Sequence, residues 1–266
     1  MTANILSSGS PDTCTWMAPA RDAGGIRTRE FSARHAGGEA PAVLFVPEGH
    51  ALSTAGPGLP VVLVQHGGSS HKSGQDVLDL AEVFVRRHGL ALVAMDGPVH
   101  GSRREAGVAL DERLRIRDRF LALWREESAH VGKTTADWLA VIGALSAMPG
   151  LDVSRLAWVG VSMGTAYGLP LLAARPGFCA AAVGMWGLSY PNSARLAADA
   201  AQLGCPVLFQ QKWGDELFDR DGQLALFDHI GSTDKRLHVY PGGHSAVQGE
   251  QMLDIERFVV ERLTAR

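Results

Sequence analysis

Short unbroken apolar runs alternate along this chain with stretches whose apolar residues recur every three or four positions. The unbroken runs are residues 59–65 (LPVVLVQ), 90–96 (LALVAMD), 156–160, 180–185, 206–211 and 237–240. A strand covered on both faces has this pattern, because neither side of it meets water. Across residues 76–88, Val77, Leu80, Ala81, Phe84 and Val85 carry helical spacing, and Gly89 closes the segment. Residues 134–148, 165–174, 223–230 and 248–264 read as further helices. Thr134 or Thr135 would cap the first of these, and Pro149 with Gly150 would end it. Upstream, residues 25–35 alternate and 42–46 are apolar, with Gly37 and Gly38 placed for a hairpin turn. Strands alternating with helices predict an α/β architecture, a mainly parallel, doubly wound sheet of about eight strands.

Two segments break the pattern. Residues 1–24 are polar and rich in Gly, Pro and Ser, which suggests a loosely attached arm ahead of one domain over 25–266. Residues 102–133 mix charges of both signs with Leu110, Leu114, Ile116, Phe120, Leu121, Leu123 and Trp124. Helices lying over a surface have one apolar and one solvated face of this kind. The segment is either an ordinary surface pair or a partial cap, a helical insertion over the active site.

Composition narrows the picture. At 266 residues and 46% hydrophobic content, one large domain with a sizeable core is affordable. A net charge of −3 offers no general attraction to nucleic acid or to acidic membranes. No apolar run approaches the roughly 18 residues that span a bilayer. The first residues lack the basic start and apolar core of a secretory signal. Cys14, Cys179 and Cys205 are scattered without metal-ligand spacing and read as free thiols, so a reducing cytoplasm is the expected location. No internal repeat is evident, and homo-oligomerisation is left open.

The chemistry gathers where the apolar runs end. Residues 156–166 (LAWVGVSMGTA) carry a strand straight into G-x-S-x-G, with small residues opening a helix behind it. In that context the motif is a sharp strand-to-helix turn that lifts Ser162 above the sheet edge. In open α/β sheets reactive groups collect at the carboxyl ends of strands. Strand ends here deliver residues 66–70 (HGGSS), Ser162, Asp215 and His244. A serine needs a base to take its proton, and an imidazole serves at neutral pH. The imidazole in turn needs an acceptor on its other nitrogen. Ser162, Asp215 and His244 fill these roles in the chain order serine, acid, histidine. His244 stands in a glycine turn after the last strand. Asp219 and Asp221 compete for the acid, but Asp215 directly follows the strand exit and Gly214.

HGG at 66–68, DGPVHG at 96–101, GVSMG at 160–164, WGDE at 213–216 and PGGH at 241–244 follow one another in this order. With them the chain, over residues 40–264, resembles serine hydrolases of the α/β-hydrolase fold. The likeness is nearest to the dienelactone-hydrolase-like and small-esterase branches, with Ser162 where the dienelactone hydrolases carry cysteine. It implies a serine hydrolase without cofactor or metal, acting on an ester of a small to medium, partly apolar molecule. It also implies the backbone amides of Met163 and of Gly68, or Gly67, as oxyanion donors, with His66 and His100 bracing their loops. Met185, Trp186 and Leu188, Trp213, and aromatic residues of the charged segment such as Trp124 are the candidate pocket residues. Amide, peptide or thioester cleavage and acyl transfer would use the same residues. Readings from other classes are a ligand-binding protein without turnover and a cofactor-free haloperoxidase or carbon–carbon hydrolase.

Two look-alikes are set aside. Gly132-Lys133-Thr134 mimics the tail of a phosphate loop, but Glu127 stands where its first glycine belongs and no buried strand precedes it. His66 with His71, and Asp96 with His100, lack any H-E-x-x-H or cysteine cluster for a metal.

Overall fold

The unbroken apolar runs form the buried strands of a single sheet. The computed structural model describes residues 14–52 and 57–265. Its strands are β1 (Cys14–Trp16), β2 (Arg21–Ala23), β3 (Ile26–His35), β4 (Gly38–Pro47), β5 (Leu59–Gln65), β6 (Ala91–Met95), β7 (Leu151–Val159), β8 (Ala180–Gly184), β9 (Val207–Lys212) and β10 (Lys235–Tyr240). They lie in the order β1-β3-β4-β6-β5-β7-β8-β9-β10, with β2 paired to β3 beside this path. From β6 to β10 every pairing is parallel. The N-terminal strands are antiparallel, and β4 joins them to β6.

The pattern predicts about eight strands, whereas among the described residues the sheet has ten. The additional ones are β1 and β2, three residues each and too short to show a periodicity. They also revise the arm expected over residues 1–24. Residues 1–13 lie outside the described residues, but Cys14–Trp16 pairs with β3, where Trp16 packs on Phe31 under the Arg29 guanidinium.

Helices cover both faces. One carries α3 (Ala129–Ser146), α4 (Met163–Ala174), α5 (Leu196–Ala201) and α6 (Arg220–His229), and the other carries α1 (Gln75–Ala81) and α7 (Glu250–Thr264). Alternate strand residues feed the two cores, as in β5, where Val61 and Leu63 join one and Val62 and Val64 the other. Within the charged segment, α2 (Arg113–Glu126) buries Ile116, Phe120, Leu123 and Trp124 at helical spacing. The following helix starts at Ala129, not at the expected threonine cap. Thr134 and Thr135 sit inside it, donating their hydroxyls to the carbonyls of His130 (2.8 Å) and Val131 (3.0 Å). A threonine hydroxyl satisfied by the preceding turn does not have to end a helix.

The position of the site follows from strand order. From β5 the chain steps to β6 on one side and then returns to β7 on the other. Loops leaving the carboxyl ends of β5 and β7 therefore diverge and open a crevice between them. Residues 66–70 leave one strand there and Ser162 leaves the other. Among the described residues no helix is long and apolar enough to cross a membrane.

Candidate active site

Ser162 is held in a backbone conformation that residues with side chains rarely adopt, with φ of 57° and ψ of −119°. The turn survives because it is fastened on both sides. Ser162 N–H donates to the Gly184 carbonyl at 2.8 Å, and the Thr165 hydroxyl bonds the Gly184 carbonyl and amide at 2.6 and 2.7 Å. Glycine on either side of the serine is a matter of space. A Cβ at Gly160 would lie 2.9 Å from Gly164 Cα, and one at Gly164 would lie 2.9 Å from the Gln65 carbonyl oxygen.

This turn presents Ser162 Oγ 3.0 Å from His244 Nε2, and His244 Nδ1 lies 2.9 Å from Asp215 Oδ2. The Asp215 carboxylate is buried, and its second oxygen accepts the N–H groups of Leu217 and Phe218, each at 2.9 Å. Both oxygens are thus engaged and the carboxylate is fixed in orientation. An Nδ1–H facing a carboxylate leaves the Nε2 lone pair to receive the serine proton. Of the competing acids, Asp219 caps α6 through Gly222 N–H (2.7 Å) and also accepts the Ser189 hydroxyl. Asp221 is exposed in the first turn of that helix. A second carboxylate does reach His244. Glu216 Oε2 accepts its backbone N–H at 2.8 Å, and that bond holds the Glu216 carboxyl below its ordinary pKa.

The loop after β5 distinguishes the two candidate glycines. Gly67 N–H is taken by Asp76 Oδ2 at 3.2 Å, and the Ser70 hydroxyl bonds the other Asp76 oxygen. The Gly67 carbonyl accepts from His66 Nδ1 at 2.8 Å, while His66 Nε2 accepts Gly97 N–H at 3.0 Å. In a planar trans peptide the C=O and N–H point in opposite directions. The bond to the Gly67 carbonyl therefore turns Gly68 N–H away from the His66 ring. Among the described residues neither Gly68 N–H nor Met163 N–H has a hydrogen-bond partner. His100 closes the loop from behind, with Nε2 2.8 Å from the Gly68 carbonyl and Nδ1 2.6 Å from that of Pro98. Burial pushes His66 and His100 down to a pKa of about 4, and the His66 ring, which accepts Gly97 N–H, is neutral at pH 7.

A cleft of about 210 Å³ opens above Ser162. Its apolar wall includes Phe120 and Leu121 from α2, Leu217 and Phe218 after β9, and Met185 after β8. Met185 lines this cleft, whereas the candidate tryptophans do not. Trp186 is 0% exposed beneath the site, donating its Nε1–H to Ser193 Oγ at 3.0 Å. Past the end of β8 the chain turns through a positive φ at Met185 (52°), and residue 185 faces the cleft while 186 faces the core. Trp213 is 62% exposed, with the Arg220 guanidinium 4.2 Å from its ring centre. Trp124 is core, and Leu188 does not line the cleft. Of the aromatic residues in the charged segment Phe120 lines the cleft, while Leu121, Leu217 and Phe218 are lining residues that the sequence reading does not single out. Leu121 shows in the sequence only as an apolar interruption of a charged run.

Neither a protein-family model nor a curated protein sequence matches the chain. Among solved structures it is similar to the polyethylene-glycol-bound complex of a cold-adapted esterase from an Arctic intertidal metagenomic library. The identity is 31%, over 94% of this chain and 100% of that one, with a TM-score of 0.79. A native structure of such an esterase from an Arctic intertidal library matches at 29% identity over the same shares, with a TM-score of 0.74. An acetyl xylan esterase from Paenibacillus sp. R4 shares the fold at 13% identity and a TM-score of 0.70, over 92% of this chain and 87% of that one.

Proposed function

The chain belongs to the α/β-hydrolase esterases and is a carboxylesterase-type hydrolase, and on that premise we propose that it cleaves its ester through Ser162, His244 and Asp215. The observation that carries this reading is the unbroken contact from Ser162 Oγ to His244 (3.0 Å) and from His244 to Asp215 (2.9 Å). Ser162 Oγ attacks the ester carbonyl as His244 Nε2 takes its proton. Asp215 keeps the imidazole in the productive tautomer and stabilises the imidazolium that forms. The tetrahedral oxygen is received by the N–H groups of Met163 and Gly68, each contributing on the order of 10²–10³ in rate. His244 then protonates the leaving alkoxide, and water, activated by the same ring, releases the acyl group.

The substrate is a small to medium ester with an apolar portion, in keeping with the wall formed by Phe120, Leu121, Met185, Leu217 and Phe218. By lending Phe120 and Leu121 to that wall, α2 acts as a partial cap. Three unpaired cysteines suit a reducing cytoplasm.

The test is labelling with a fluorophosphonate probe, read by intact mass, together with turnover of short p-nitrophenyl esters. A single adduct at Ser162 is expected, and Ser162→Ala and His244→Ala should each lower turnover by about 10³-fold or more. Labelling of Ser162 without ester turnover would redirect the search to amides, thioesters or acyl acceptors. A folded protein that takes no adduct would overturn the assignment of the three residues.

A further inference from the structure

The reading above, on which this inference rests, leaves open how the base is held. His244 sits in the loop after β10, the edge strand of the sheet, so its backbone has a neighbouring strand on one side alone. The loop after β9 straps it from that side. Trp213 N–H donates to the Tyr240 carbonyl at 2.8 Å and Gly214 N–H to the Gly242 carbonyl at 3.0 Å. Beyond Gly242 these straps end. His244 N–H donating to Glu216 Oε2 at 2.8 Å is, among the described residues, the only hydrogen bond donated by the backbone of residues 241–249. Room for it is made next door, since a Cβ on Gly243 would stand 2.6 Å from Glu216 Oε2.

We propose that Glu216 is a positioning residue for His244, its carboxylate holding the base loop where the imidazole meets Ser162 and Asp215 together. The consecutive acids then divide the work. Asp215 addresses the ring at Nδ1, and Glu216 addresses the backbone that carries the ring. Asp215 and Glu216 bond His244 directly, while Arg113, Arg117 and Asp76 line the cleft it opens on, Ser162 ahead of α4 is uncharged, and Phe218 packs its ring 5.3 Å away, centre to centre. When the imidazolium forms, the Glu216 charge also favours it, weakly because this carboxylate is exposed.

The experiment compares Glu216→Ala, Glu216→Gln and Gly243→Ala with the wild type and His244→Ala, following p-nitrophenyl butyrate hydrolysis against pH. Glu216→Ala should lower kcat on the order of tenfold, with KM within about twofold, because the loss is one of catalytic geometry. Glu216→Gln still offers an oxygen to the His244 amide. It should keep most of kcat while the acid limb of the pH profile moves to lower pH, since a negative charge beside the base is gone. Gly243→Ala should reproduce Glu216→Ala by displacing the carboxylate without altering it, and it keeps the test open if Glu216→Ala fails to fold. Wild-type kcat and pH profile in Glu216→Ala would overturn the proposal, as would Glu216→Gln as impaired as Glu216→Ala. Should His244→Ala itself turn over the ester, the base assignment falls and this proposal with it. If His244→Ala is dead and Glu216→Ala is indifferent, only the role of Glu216 falls.

Discussion

The residue at which folding and chemistry conflict most is Ser162. Its positive φ costs on the order of 1–3 kcal/mol in a residue with a side chain, and the bonds from Gly184 and Thr165 hold it there. Glycine adopts this conformation without the same penalty. Ser162→Gly is therefore expected to abolish turnover and yet raise the melting temperature, by the equivalent of about 1 kcal/mol after the greater flexibility of the unfolded chain is deducted. A lower melting temperature in Ser162→Gly would show that the turn is not strained. The serine was legible in the sequence because so sharp a turn leaves a glycine signature on both sides. The split between Met185 and Trp186 was not, because which of two neighbours faces a cleft depends on the direction in which the chain leaves the strand.

At the scale of elements, α2 is where sequence reading stopped at two alternatives. Its apolar residues at helical spacing show that one face is covered, but not by what. The structure packs Ile116, Phe120 and Trp124 downward while Leu121 reaches the cleft beside the Gly67–Gly68 loop. Phe120 serves both purposes, since its ring lies 3.1 Å from where a Gly68 Cβ would be. Shortening Leu121 should lengthen the acyl chain that fits. For Leu121→Ala, kcat/KM for p-nitrophenyl octanoate relative to the acetate is expected to rise severalfold, with each accommodated methylene worth up to about 0.8 kcal/mol. An unchanged chain-length profile would remove α2 from the pocket wall.

At the scale of the molecule, the buried histidines behind the Gly67–Gly68 loop tie stability to pH. His66 and His100 protonate near pH 6.5 when unfolded and only at about 4 when folded. Between these values the unfolded chain holds more protons, so stability is lost as the pH falls through this window. Each ring contributes a slope of up to about 1.4 kcal/mol per pH unit. The melting temperature should fall from pH 6.5 to 4.5, and His100→Gln should show a shallower fall than the wild type. Identical slopes in the two proteins would sink the assignment to these rings. The same cluster holds Asp96, whose carboxylate accepts from Lys72 Nζ and Ser102 N–H, each at 3.0 Å. The loop after β6 is thereby fastened to the loop after β5.

By itself the sequence determined the alternation of buried strands and helices, the serine turn, and the chemistry-bearing residues at strand ends. Each of these is written locally: a strand covered on both faces must be apolar throughout, and a tight turn needs glycine where backbones approach. The tertiary structure alone decided the rest. It joined β1 and β2 to the sheet, left Gly68 rather than Gly67 with an unpaired amide, and assigned Asp219 to a helix cap. It also put Glu216 on the backbone of His244. These outcomes depend on which surfaces meet across the sheet, and hydrogen-bond partners drawn from different loops leave no period or spacing in the chain that carries them.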